Sequence, residues 1–369
     1  MKQKRFTFLL LFVANLFCAS AQKWYTPEID QKVEDLLKQM TVEEKLGYIG
    51  GVNWMYTKSI DRLGIHRMKM SDGPQGLGTD GKSTAYPSTV TLAATWNENL
   101  AYQYGKALGR DCRARNVNVI LGPAVNIYRA PMCGRNFEYM GEDPYLTSRI
   151  CVGYIKGVQD QGVMATVKHF VANNSDYDRN NISNDIDERT LNEIYFPAYK
   201  AAIQEAEVGA VMTSYNLMNG IYTTENPWLL KEVLRNQWGF KGLVMSDWGS
   251  THYCVPAAKG GLDLEMAGGE KMNPKDMAYY LKTGDVTMDM VDEKVRHILR
   301  ILIAFGFKDG TQADKNIPLD DPKSAETALN VAREGLVLLK NENNILPLNP
   351  KKYKHIIVTG KNAHGYVHG

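Results

Sequence analysis

Short apolar runs alternate with helical patterns along most of this chain, and most runs end in polar residues. Val117 to Leu121, Val163 to Val167, Val208 to Thr213 and Leu243 to Met245 read as buried strands. Asn97 to Asn116, Leu146 to Gln161, Arg189 to Glu207 and Pro227 to Gln237 carry helical spacing between or before them. Repeated strand–helix units leave few arrangements open. They demand parallel pairing with crossover helices. The number of units predicts an α/β fold, a (β/α)8-type TIM-like barrel rather than an open doubly wound sheet. No dinucleotide or phosphate-loop fingerprint opens any of the helices. A barrel gathers side chains from the carboxyl ends of its strands onto one face.

The polar clusters sit at those ends. Ser71-Asp72-Gly-Pro-Gln-Gly76 follows His66 to Met70, Lys168-His169 follows Val163 to Val167, and Ser214-Tyr215-Asn216 follows Val208 to Thr213. Ser246-Asp247-Trp248 follows Leu243 to Met245, and Arg135 lies in the mixed-charge loop Gly134 to Tyr145. Each has a plain structural reading. Asp247 could cap the next helix. Asp72 could belong to a turn. Lys168 and His169 could be paired core residues. Together they suit a sugar. The Trp248 ring can cover the C–H face of a pyranose while polar groups take the hydroxyls. Asp72 could accept from two hydroxyls, and the Arg135 guanidinium could bind hydroxyls or fix a carboxylate.

The spacing from Val233 to Ser250 resembles the signature around the nucleophilic aspartate of glycoside hydrolase family 3. The likeness runs in order from about Trp24 onward. It implies that Asp247 is the nucleophile. It implies that Asp72, Arg135, Lys168, His169 and Tyr215 bind the sugar and that Trp248 lines the site. The implied reaction is retaining hydrolysis of terminal non-reducing β-D-glucosyl residues. A β-xylosidase of the same family and a catalytically crippled sugar-binding fragment are the alternatives. Such hydrolysis uses two carboxyl groups about 5–5.5 Å apart. In two-domain members the acid/base glutamate belongs to a second, α/β sandwich domain, and no residue of this chain matches it. Within the chain, Glu138 and Glu142 would be the places to look. Phe170 to Asn174 lacks the histidine expected of N-acetylhexosaminidase-like members. Asp247 must be ionised to attack, and Lys168 or Arg135 is expected to hold its pKa low.

Residues 1–21 read as a signal peptide, with Lys2, Lys4 and Arg5, an apolar stretch, and Ala19-Ser20-Ala21 before the cut. The expectation is a periplasmic or secreted protein. Residues 22–307 are assigned to the barrel, 308–323 to a linker, and 324–369 to the truncated start of the α/β sandwich domain. There Ser324 to Lys340 is expected as a helix and His355 to Thr359 as a strand. No later run is long enough to span a bilayer. Without the leader, 40 basic side chains face 41 acidic ones. That balance gives no case for nucleic acid or for a basic membrane surface. Cys112, Cys133, Cys151, Cys254 and the seven histidines show no metal-ligand spacing. No cofactor is implied; the partner is a β-linked glycoside.

Overall fold

The computed structural model describes residues 24–78, 81–310, 312–361 and 363. The leader expected over residues 1–21 lies outside them. Five strands form one parallel sheet: β1 Met70–Asp72, β2 Val119–Leu121, β3 Met164–Phe170, β4 Ala210–Thr213 and β5 Leu243–Met245. Their spatial order is their chain order. Met70 stands opposite Val119, Val119 opposite Met164, Thr166 opposite Ala210, and Ala210 opposite Leu243. Every residue of β2 to β5 is buried. Strands covered on both faces read as continuous apolar runs, which is why they stood out in the sequence.

Backbone pairing carries the arc onward. Leu264 bridges Met245 in parallel, and Glu265 bridges Gly50. Val52 then pairs with Tyr56, and Tyr56 with Lys69, both antiparallel. The Met70 N–H donates to the Met55 carbonyl at 2.8 Å, which leads back to β1. The fold is thus the expected α/β barrel type, with very short strands and one antiparallel section.

The helices relevant to the site are α1 Pro27–Gln39, α2 Val42–Tyr48, α3 Glu98–Ala114, α4 Pro144–Gln159, α5 Pro197–Gln204, α6 Met288–Ala304 and α7 Pro322–Gly335. Their starts are written locally. Thr41 and Glu44 close a reciprocal capping box on α2. Asn97 caps α3 and Asp143 caps α4. Helices α3 and α4 meet backbone to backbone. A Cβ on Gly105 would lie 2.1 Å from the Tyr154 carbonyl oxygen, and one on Gly157 2.1 Å from that of Tyr102.

Two expectations change. The helix expected from Arg189 to Glu207 is broken. Leu191–Tyr195 winds as a wider turn, in which the Phe196 N–H donates to the Leu191 carbonyl at 2.8 Å, and α5 restarts at Pro197. Proline has no N–H to continue the ladder and its ring crowds the preceding turn. His355 to Thr359 is not a strand. Ile356, Ile357 and Val358 are exposed, and among the described residues no strand lies beside them to complete a ladder.

The helix expected from Ser324 begins at Pro322 and ends at Gly335. It lies on the barrel's helical shell. The Ser324 hydroxyl donates to Asp111 at 2.8 Å, Val331 is fully buried, and a Cβ on Gly335 would sit 2.4 Å from the Thr91 carbonyl oxygen. The polar stretch before it is tied down too. Asp314 N–H donates to the Arg113 carbonyl at 3.0 Å, and Arg110 meets Asp321 at 2.5 Å. Among the described residues no helix is long and apolar enough to cross a membrane.

Candidate active site

Asp247 follows β5 directly, so the strand's end fixes where its carboxylate points. Oδ1 accepts the Trp248 N–H at 2.7 Å. Oδ2 is buried and accepts no hydrogen bond. It lies 3.6 Å from Arg135 Nη1 and 3.4 Å from His169 Nε2. A buried carboxylate oxygen without a donor is costly. It needs a function to explain it.

His169 is held by Asn126 in a way that settles its tautomer. The Asn126 side chain donates to the His169 carbonyl at 3.0 Å and accepts its N–H at 2.9 Å. Those two bonds orient the amide, so Asn126 Oδ1 is also the atom 3.2 Å from His169 Nδ1. Nδ1 therefore carries the hydrogen. Nε2 presents a lone pair, which takes a hydrogen from Arg135 Nη2 at 2.9 Å. Burial, then the charges of Arg135, Lys168 and Arg179, push the His169 pKa far down, so the ring is neutral.

A chain of alternating charge leads outward from Asp247. Arg135 Nε donates to Glu138 Oε1 at 2.5 Å, Glu138 Oε2 lies 3.7 Å from Lys168 Nζ, and Lys168 Nζ lies 3.2 Å from Asp72 Oδ1. The Asp72 side chain is 58 % exposed, whereas those of Glu138 and Lys168 are 4 % and 3 % exposed. The Lys168 charge holds the Asp72 pKa low. Burial alone would ease the proton off Arg135, but Glu138 and Asp247 outweigh it and keep the guanidinium charged.

Asp247 behaves otherwise than the sequence led us to expect. Burial raises its pKa, and the opposing pull of Arg135 and Lys168 does not cancel that rise. Depth is the missing quantity: the sequence shows which cations are near, not how much water has gone.

Asp72, Arg135, Lys168, Tyr215, Asp247 and Trp248 line one cavity of about 240 Å³, together with Trp54, Met55, Leu121, Arg179 and Met212. That volume is below the ~300–1,000 Å³ of pockets for drug-sized ligands and suits a single sugar ring. His169 is fully buried and reaches Asp247 from behind the wall. Tyr215 donates its hydroxyl to the Trp248 carbonyl at 3.0 Å, and Trp248 Nε1 donates to the Trp54 carbonyl at 2.9 Å. Burial, then the Asp247 charge, keep the Tyr215 phenol protonated. A larger hollow of about 470 Å³ lies between α4 and α5 and contains none of these groups. The smaller cavity is the candidate because the charges converge there.

The sequence reading did not single out Asn126, Arg179 or Trp54. Arg179 lies in a polar run after Asn173-Asn174, a signal of the same kind as the others. Asn126 gave none, since its role is to a backbone. Glu138 was weighed as an acid, but both its oxygens face cations and it braces them. Among the described residues, no three or more His, Cys, Asp or Glu side chains come together as a metal site.

Residues 39–301 match the Glycosyl hydrolase family 3 N terminal domain. A β-glucosidase of Rhizobium radiobacter is 42 % identical over 90 % of this chain and 41 % of its own length. Thermostable β-glucosidase B of Acetivibrio thermocellus is 40 % identical over 86 % of this chain and 43 % of its own. The structure of β-glucosidase 3B from Thermotoga neapolitana, in complex with α-D-glucose, superposes with a TM-score of 0.79 at 37 % identity, covering 86 % of this chain and 48 % of that one. The chain thus spans less than half the length of these relatives.

Proposed function

From the premise that the chain belongs to glycosyl hydrolase family 3, we propose that it hydrolyses terminal non-reducing β-D-glucosyl residues with retention, Asp247 being the nucleophile. One observation carries the assignment. Asp247 Oδ2 is buried, lacks a hydrogen-bond partner, and belongs to the wall of the charged cavity.

In the first step Asp247 Oδ2 bonds to the anomeric carbon and the glycosidic C–O bond breaks. The leaving oxygen takes a proton from a general acid. In the second step water attacks the same carbon, the acid's conjugate base takes the water's proton, and the ester to Asp247 is released. Asp72, Lys168, Arg135 and Tyr215 are proposed to hold the hydroxyls, and Trp248 to cover a ring face. His169 is proposed to serve the sugar site from behind, its Nε2 lone pair holding Arg135 in place. Contacts that tighten as the ring flattens lower the barrier.

The general acid is proposed to come from outside residues 22–307, the segment we assign to the barrel. Asp72, which lines the cavity with Asp247, is paired with Lys168, and buried Glu138 lies outside its lining. Glu138 is locked between Arg135 and Lys168. The β-glucoside reading rests on the named relatives; a β-xyloside is the alternative. Residues 1–21 are proposed to direct export to the periplasm or beyond.

A 2-fluoro β-glucoside with a good leaving group tests the proposal, because it reaches the glycosyl-enzyme and stalls there. Mass spectrometry should find the sugar on the peptide containing Asp247. Label on another carboxylate, or no label on folded protein, overturns it.

A further inference from the structure

We infer that Arg179 is a positioning residue, one that acts on the reaction by holding the Tyr215 ring in place beside Asp247. The inference rests on the reading of Asp247 as nucleophile.

The Arg179 guanidinium carbon lies 3.9 Å from the centre of the Tyr215 ring. A cation over an aromatic face is attracted by the ring's quadrupole. Arg179 is itself aimed by Asp176, whose Oδ1 accepts from its Nη1 at 3.1 Å. Its backbone is fixed as well. Asn216 Nδ2 donates to the Arg179 carbonyl at 3.0 Å and to the Ser175 carbonyl at 2.9 Å, while Asn216 Oδ1 accepts the Ser175 N–H at 3.0 Å. Asn216 is the residue after Tyr215. Asn173 Oδ1 accepts the Tyr215 N–H at 3.2 Å. The loop after β3 and the loop after β4 are therefore stitched together around Tyr215, with Arg179 as the cover on its ring.

What Tyr215 does explains why a cover matters. Its hydroxyl donates to the carbonyl of Trp248, the residue next to Asp247. Without Arg179 that ring face loses its cation, and with it the contact that helps hold the phenol on the Trp248 carbonyl. Arg179 is also charged and close enough to help keep His169 neutral. A residue that merely filled space would do neither.

The experiment is inactivation by the 2-fluoro β-glucoside, which separates binding (Ki) from attack (kinact). It is run on the unsubstituted chain, Arg179→Met, Arg179→Lys, Tyr215→Phe and the double variant. Arg179→Met should lower kinact roughly three- to ten-fold, the scale of one cation–ring contact. Its Ki should change less than about two-fold, also small on that scale. Lysine should restore most of kinact, because it keeps a cation over the ring. The double variant should be no slower than Tyr215→Phe alone, since the arginine acts through the tyrosine. Unchanged kinact in Arg179→Met overturns the inference. So does a raised Ki with kinact intact, which would make Arg179 a substrate contact. Losses that multiply in the double variant overturn it too. No inactivation of the unsubstituted chain removes the nucleophile reading and this inference with it. Inactivation of that chain with a normal Arg179→Met removes the inference alone.

Discussion

His169 Nε2 and Asp247 Oδ2 face each other at 3.4 Å, and neither brings a hydrogen to the gap. The imidazole hydrogen is on the other nitrogen, given to Asn126. The Nε2 lone pair already takes a hydrogen from Arg135, so the open demand for a donor is that of Asp247 Oδ2. A sugar hydroxyl meets it. So does a proton on Asp247, in line with the raised pKa of that carboxyl.

The pH profile should report this. Attack needs ionised Asp247, so the acid limb of kinact/Ki should lie above the ~3.9 of an ordinary aspartate. Arg135 pulls the value down, though less than burial raises it. Arg135→Met should therefore move the limb to higher pH, because an adjacent cation favours the ionised carboxylate. Inactivation rates between pH 4 and 8 check this. A limb that stays put would remove Arg135 from the electrostatics of the nucleophile.

Stability should move the opposite way from activity at Asp247. Its folded pKa is raised above the unfolded value, so its share of stability is full below about pH 4 and is lost as pH rises through the folded pKa. Asp247→Asn should then stabilise the protein at pH 7, since a neutral amide avoids the cost of a buried charge. The gain should fade toward pH 4. Urea titrations at both pH values measure it. The same variant should lose activity by about 10³-fold or more.

Glu138 is the brace between part-buried Arg135 and buried Lys168. Glu138→Ala leaves Arg135 and Lys168 facing each other without a carboxylate between them. Removing one partner of a buried pair costs about 3–5 kcal/mol. We expect a loss of that order in urea unfolding, and weaker binding of glucose by calorimetry. Retained stability would mean that the two cations find other partners.

Helix α7 should behave as part of the barrel body. Val331→Ala should cost roughly 1–3 kcal/mol, as other buried truncations do. Limited proteolysis should cut after Gly335, where Leu336 to Leu339 are exposed, before it cuts within 308–335. Early cleavage between Lys308 and Asp321 would show a loose connection instead.

Much of the framework could be read from residues alone, because its signals are local. Leu243 to Met245 is a strand with the expected ends, and the Thr41–Glu44 box caps a helix as its spacing said. Asp72, Arg135, Lys168, Tyr215, Asp247 and Trp248 share one cavity wall because strand ends share a barrel face. What escaped is not local. Asn126 matters through the backbone of His169, 43 residues away. The antiparallel section at Val52 to Tyr56 depends on pairing with Lys69, which no periodicity announces. Ile356 to Val358 has the composition of a strand, but a strand exists only with a neighbour. The sign of the Asp247 shift turns on burial, a property of the assembled fold.

The grip of Asn126 on His169 bears on what should inhibit this site. Two backbone bonds set the amide and the amide sets the imidazole, so the ring cannot turn over to offer its hydrogen when the visitor changes. Selectivity is therefore one-sided. A nitrogen-containing sugar mimic that is protonated brings both a hydrogen and a positive charge to Asp247, and should bind more tightly as the carboxylate ionises. An uncharged mimic with an oxygen acceptor at the same place meets the lone pairs of Asp247 Oδ2 beside an imidazole that has no hydrogen to give, and is repelled. The site discriminates by which partner carries the proton, before shape is consulted.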